Sequence, residues 1–284
     1  MLDVMEELAG KVAVITGAGS GMGRAFARRF ATAGMDLVLA DIGEGPLNEA
    51  VDEARAAGVH AIGVRTDVSD GAQMDALAAA AFAEFERVNV VCNNAGVAGS
   101  FLGADRIDVA DWEWVLGVNL WGVIHGHRVF LPHLLEHGDG HIVNTASMAG
   151  HFPAHSAYGA SKWAVVCITE GLHHQLAGMG STVGVSCLCP GWVATQIASS
   201  VRNRPEHVAP GPQLEMTPAE EQRYSMVSEL VRNGLPPEKV ADMVHDAVLS
   251  KTFWIFPHPE MVTLLSKRYD SVLLGTNPSR ITLT

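Results

Sequence analysis

Tyr158 and Lys162 stand four residues apart in Tyr158-Gly159-Ala160-Ser161-Lys162. On a helix that spacing puts a phenol and an ammonium on one face, about 6 Å apart at Cβ. A free phenol titrates near pH 10 and is a poor base at neutral pH; a neighbouring ammonium stabilises the phenolate. Such a pair can pass a proton to and from an oxygen. The spacing alone equally describes a surface tyrosine beside an incidental lysine, so its meaning rests on other residues. Ser147 ends Val143-Asn144-Thr145-Ala146-Ser147, just past an apolar run. A hydroxyl at the carboxyl end of a strand can hold a carbonyl or alcohol oxygen. Asn119, in Gly117-Val118-Asn119-Leu120-Trp121, interrupts a helical pattern where Asn is disfavoured. It is either an exposed helical residue or one with a side-chain or water-binding role.

A second constellation lies near the N-terminus. Thr16-Gly17-Ala18-Gly19-Ser20-Gly21-Met22-Gly23 follows a β-branched run and opens a helical pattern. Glycines there allow a tight turn and let a pyrophosphate approach main-chain N–H groups at a helix N-terminus. A tight turn without a ligand is the plainer alternative. Asp41 ends the next apolar run, 18 residues after Gly23. A carboxylate there can accept hydrogen bonds from both ribose hydroxyls of a dinucleotide, or can simply cap the following helix. It would repel a 2′-phosphate by roughly 4 kcal/mol at 4 Å and an effective dielectric of 20. Ile42 follows Asp41, and Ser20 within the turn is uncharged, so the pattern predicts NAD rather than NADP. Asp67-Val68 is placed to meet the adenine. Asn94-Ala95-Gly96 offers a flat surface beside the cofactor, although each Asn of Asn93-Asn94 taken singly is only a turn signal.

The elements that must carry these residues alternate. Strands are predicted at 11–16, 36–41, 60–65, 88–93, 141–145 and 182–188, and helices at 21–33, 47–57, 70–86, 111–135 and 157–176. Strand–helix–strand units of this size form a parallel sheet covered on both faces, an α/β doubly wound architecture. The near-continuous apolar strands suit it. Residues 192–234 break the rhythm with Pro205, Pro210, Pro212 and Pro218, and read as a substrate-covering segment. Thr217-Pro218-Ala219-Glu220 signals a helix start. Further helices are predicted at 240–249 and 258–274, with a seventh strand at 253–256. With no repeat, low-complexity tract or linker, residues 1–284 read as one domain.

Composition narrows the function. The 284 residues carry 31 acidic and 19 basic side chains, a net charge of −12, which argues against nucleic acid and anionic membrane surfaces as partners. No 18-residue apolar window and no leader pattern occur, and Cys92, Cys167, Cys187 and Cys189 form no CxxC pair. A cytoplasmic protein with reduced thiols is expected. His125-Gly126-His127 puts its imidazoles on different helix faces and has no third ligand at workable spacing, so no metal is expected.

Taken together, the chain resembles the single-domain branch of the short-chain dehydrogenase/reductase family. The shared motifs are the TGxxxGxG turn, Asp67, Asn93 to Gly96, Asn119, Ser147, the YxxxK pair, Pro190-Gly191 and Thr195, in family order over residues 10–195. The resemblance implies a Rossmann-like sheet of about seven strands and a tetrad of Asn119, Ser147, Tyr158 and Lys162. It implies Tyr158 as acid/base, Lys162 holding the nicotinamide ribose and lowering the phenol, Ser147 orienting the substrate oxygen, and Asn119 anchoring a water. Gly17, Ser20, Gly21, Met22, Gly23, Asp41, Ile42, Asp67, Val68, Asn94, Ala95, Gly96, Tyr158, Lys162, Pro190, Gly191, Val193 and Thr195 are the implied cofactor residues. One departure stands out: Ser147 and Tyr158 are 11 apart, about two fewer than is usual, which predicts a tighter or re-aimed loop.

Ser147, Met148, Phe152, Tyr158 and Trp192 are the expected substrate contacts, with His151, Val97 and Ile197 as further apolar lining. They suit a bulky, uncharged secondary alcohol or ketone, aromatic or alicyclic. The 235–260 region loosely resembles bacterial members acting on aryl-carbinol alcohols. Arg202 and Arg204 read as solvated lid arginines rather than as carboxylate ligands. By analogy with the family, Trp121, His125, Ala164, Val165 and Ile168 face a homo-oligomer interface, dimeric or tetrameric. The alternative function is a non-catalytic NAD-sensing regulator, against which the presence of both Tyr158 and Lys162 argues.

Overall fold

The computed structural model describes residues 7–205, 208 and 215–278. Seven strands form one parallel sheet in the order β3-β2-β1-β4-β5-β6-β7. They are β1 Val12–Thr16, β2 Asp36–Asp41, β3 Ala61–Arg65, β4 Val90–Asn93, β5 His141–Thr145, β6 Gly184–Leu188 and β7 Trp254–Ile255. Side chains alternate across the pleat and feed two cores. Ala13, Ile15, Leu37 and Leu39 pack with Phe26 and Phe30 of α1 (Gly21–Thr32), α2 (Glu44–Ala56), and Val240 and Val244 of α8 (Pro237–Ser250). Val14, Val38, Val91 and Ile142 pack on the other face. Their partners are α3 (Gly71–Glu84), Phe130 of α5 (Gly122–His137) and Leu172 of α6 (Ala157–Gly178). The strand order reverses between β1 and β4, the switch point where ligands bind in open sheets of this kind.

The predicted helix at 111–135 is broken. α4 (Val109–Leu116) runs into a π-helical turn, Gly117–Trp121, before α5 begins. The extra residue of that turn sits at buried Asn119, and π-turns of this kind recur at functional sites. The predicted last helix is also two pieces, α9 (Pro259–Val262) and α10 (Leu265–Leu274).

The covering segment is an excursion pinned at its base. Val193 and Leu235 form a parallel bridge, in which Ala194 N–H donates to Leu235 O at 2.9 Å and Leu235 N–H to Trp192 O at 2.9 Å. Between them lie a 3₁₀ stretch, Ile197–Asn203, and α7 (Pro218–Arg232), started by the expected capping box of Thr217 and Glu220. Residues 206–207 and 209–214 of the segment lie outside the described residues.

Candidate active site

Each side chain of the site is delivered by a strand end or a helix. β5 ends at Thr145, and Ser147 caps the 3₁₀ turn that follows: its Oγ accepts from Ala149 N–H at 3.1 Å and donates to Pro190 O at 3.3 Å. α6 starts at a cap made by Ser156, which accepts from Gly159 N–H at 3.2 Å. One residue inside that helix, Tyr158 is half-buried. Despite the shortened loop, Ser147 and Tyr158 line the same cavity. The loop closes tightly because Gly150 packs on the Lys162 backbone and Gly159 on Ala154; a Cβ there would come within 2.6 Å and 2.3 Å.

Lys162 is 3% exposed, and its Nζ donates to Thr145 O at 2.7 Å. Its ammonium lies 5.7 Å from the centroid of the Tyr158 ring. Burial lowers Lys162 to about 8. Burial also pushes the Tyr158 phenol up, and the Ser147 hydroxyl offsets part of that rise.

Asn119 is fully buried. Its Oδ1 accepts from Val97 N–H at 2.8 Å, while Nδ2 donates to Val97 O at 2.9 Å and Ser161 Oγ at 3.0 Å. The exposed-helix alternative is overturned. The side chain braces the segment following Gly96 against Ser161 of α6.

The glycine turn fits a pyrophosphate. Ser20 precedes α1 but makes no side-chain cap, and the first turn of α1 holds no acidic residue. Its leading N–H groups are therefore free donors at the positive end of a helix dipole. Gly17 adopts φ +66, and a Cβ there would lie 2.8 Å from Ala95 Cα; one on Gly23 would lie 2.1 Å from Gly17 O. Thr16 latches the two strand ends, since its Oγ1 accepts from Asn94 N–H at 2.9 Å and Ala95 N–H at 3.1 Å. Asp41 accepts from Gly19 N–H through Oδ2 and Gly43 N–H through Oδ1, both at 2.9 Å. It shapes the turn and stands at its mouth.

A cavity of about 450 Å³ joins these parts. Ser147, Tyr158 and Lys162 line it with Ser20, Gly21, Met22, Asn94, Gly96, Pro190, Gly191, Val193 and Thr195. Of the expected substrate contacts, Met148 and Trp192 also line it. Phe152 does not: it is 5% exposed within a core cluster with Met148 and Val165, and its carbonyl accepts from Trp163 Nε1 at 2.9 Å. Its loop position suggested a pocket; packing beneath the loop took it into the core. His151 likewise faces Cys189, Trp254 and Phe256, and Val97 belongs to a cluster with Trp114. Gly17, Gly23, Asp41, Ile42, Asp67, Val68 and Ala95 lie outside the cavity, toward or behind the turn. Asp67 accepts from Ser69 N–H at 3.0 Å and Ser69 Oγ at 2.6 Å, which shapes the loop after β3.

Sequence reasoning missed the roof of this cavity. Arg223 and Val227 on α7, His155, Phe101 and Leu102 all line it, and no local motif marks them. It also misjudged Arg204, which ion-pairs with buried Asp111 at 3.3 Å and stacks over Trp114.

The short chain dehydrogenase family model matches residues 11–206. A short-chain dehydrogenase/reductase from Burkholderia phymatum, solved in complex with NAD, is 45% identical, with a TM-score of 0.93 over 99% of this chain and 100% of that one. The C alpha-dehydrogenase of a Sphingobium species is 30% identical over 96% of this chain and 89% of its own. The CLA biosynthesis dehydrogenase/reductase of Lactiplantibacillus plantarum is 29% identical over 96% and 97%.

Proposed function

The chain belongs to the short-chain dehydrogenase family, and from that premise we propose that it is an NAD-dependent oxidoreductase interconverting a secondary alcohol and a ketone with a bulky apolar body. The observation that carries this reading is one cavity lined by Ser147, Tyr158, buried Lys162 and the free N-terminus of α1.

NAD bound there supplies hydride acceptance, and its reduced form hydride donation. The chain does the rest. Gly17, Ser20, Gly21, Met22 and Gly23 would hold the pyrophosphate, and Asp41 with Ile42 the adenosine ribose. Asp67 and Val68 would border the adenine, Asn94, Ala95 and Gly96 the middle of the cofactor, and Pro190, Gly191, Val193 and Thr195 the nicotinamide. Ser147 Oγ orients the substrate oxygen. Tyr158 takes its proton in oxidation and returns it in reduction. The positive charges of Lys162 and of an oxidised nicotinamide favour the phenolate. Asn119 positions Lys162 and the wall at Val97. The buried thiols suit a reducing cytoplasm.

The test is NADH formation from NAD with a graded panel of secondary alcohols, small aliphatic through bulky aryl and alicyclic. Turnover confined to bulky members is expected, with NAD favoured over NADP in kcat/KM because of Asp41. Preference for NADP overturns the cofactor assignment. NAD binding without turnover on any member would instead favour a sensing role.

A further inference from the structure

The charge around the cavity runs against that of the molecule. The chain carries 31 acidic against 19 basic side chains, yet the described residues lining the cavity include no Asp or Glu. They do include Lys162, Arg202 and Arg223. Lys162 sits at the catalytic end, held by Thr145 O. The two arginines belong to the covering segment, one in the 3₁₀ stretch Ile197–Asn203 and one on α7.

Neither arginine has a carboxylate partner among the described residues. Arg24, Arg28, Arg29, Arg106, Arg128 and Arg204 are ion-paired; of the described arginines without such a pair, Arg202 and Arg223 are the two that line the cavity. Arg202 donates through Nη1 to Gln196 O and Ser199 O, both at 2.9 Å, and leaves Nη2 without a protein acceptor among those residues. Arg223 donates through Nη1 to His155 Nε2 at 3.0 Å, and His155 also lines the cavity. Apolar Phe101, Leu102, Ile197 and Val227 line it too. In a strongly acidic protein, two arginines that line one largely apolar cavity and have no carboxylate partner among the described residues form a recognition element for an anion. Guanidinium forks hold carboxylate and phosphate alike.

We infer that the substrate is amphiphilic: an apolar secondary alcohol or ketone that also bears an anionic group, carboxylate or phosphate, bound by Arg223 and Arg202 at the roof of the cavity. This rests on the oxidoreductase reading and replaces the uncharged substrate expected from sequence.

The test compares three ligands of one apolar skeleton: a hydroxy acid, its methyl ester and the corresponding phosphate monoester. Binding is measured by calorimetry in the presence of NADH, so the result does not depend on turnover. At least one anion is expected to bind roughly tenfold or more tighter than the ester, a gap of the size charge-assisted hydrogen bonds provide. The better of the two identifies the group. The gap should shrink in high salt and collapse in the Arg202→Met/Arg223→Met double variant, whose affinity for NADH serves as the check on folding. An ester that binds as well as both anions, no measurable binding of either anion, or a gap that survives both replacements overturns the inference. NADH formation from the hydroxy acid is read separately: an acid that binds through the arginines but is never oxidised leaves the charge assignment standing and overturns the oxidoreductase reading.

Discussion

At the scale of single residues the site is a set of opposed costs. Lys162 is buried and Tyr158 half-buried, and desolvation pushes each toward its neutral form. Replacing Tyr158 by Phe removes the proton carrier while leaving the fold and the turn intact. Turnover is expected to fall by about 10²–10⁴-fold with NADH affinity nearly unchanged, measured by single-turnover kinetics and fluorescence titration. Lys162 leaves a signature in stability. Its folded value is about 8 against an ordinary 10.5. Below pH 8 both folded and unfolded chains hold the proton, and folding carries the whole cost of burying the ammonium. Between pH 8 and 10.5 the folded chain releases it first, so this residue's contribution to stability rises with pH, by roughly 3 kcal/mol across the window. A Lys162→Met variant should lose that rise. Urea midpoints of the two proteins, compared from pH 7 to 10.5, should converge as pH increases, and parallel curves would refute the assignment.

At the scale of elements, the covering segment depends on one buried carboxylate. Glu220 is 4% exposed and accepts from Thr217 N–H at 2.7 Å, from Gly103 N–H at 2.6 Å and from the Arg106 guanidinium. The main-chain N–H of Thr217 is the largest cause holding it at about 2. Glu220 thus caps α7 and ties it to the loop before α4. Glu220→Ala is expected to raise KM several-fold, with a smaller effect on kcat and unchanged NADH binding, because it loosens the roof and not the catalytic pair. A fall in kcat alone would contradict this. The cap itself was legible in Thr217-Pro218-Ala219-Glu220; its tertiary partners Gly103 and Arg106 were not, since nothing local encodes a contact across more than a hundred residues. The same distinction separates the other readings. Strands follow from short, near-continuous apolar runs and the glycine turn from special backbone demands, so β1, β2 and β5 were visible in the chain. The π-turn at Asn119, the burial of Phe152 and the pairing of Arg204 with Asp111 arise only when elements pack.

At the scale of the whole molecule, exposed apolar side chains gather at two places among the described residues. Trp121 is 52% exposed where the π-turn meets α5, with His125 beside it at 5.8 Å between ring centroids. Ala164 and Ile168 of α6 are partly exposed, whereas Val165, expected on this face, is fully buried in the core. The second surface is α10, which buries none of its residues and leaves Leu273 82% and Leu274 74% exposed. Exposed apolar groups of this size mark association surfaces. Two separate patches that each pair with the same patch of another copy give two dyads, and two dyads close into a tetramer rather than a dimer. The expected species is therefore a homotetramer. Trp121→Glu and Leu273→Glu/Leu274→Glu should each reduce it to a dimer, and combining them should give monomers. Light scattering after gel filtration distinguishes these masses directly. A monomeric wild-type chain would remove the symmetry argument, while a dimer sensitive to only one set of changes would assign the other surface to a different role.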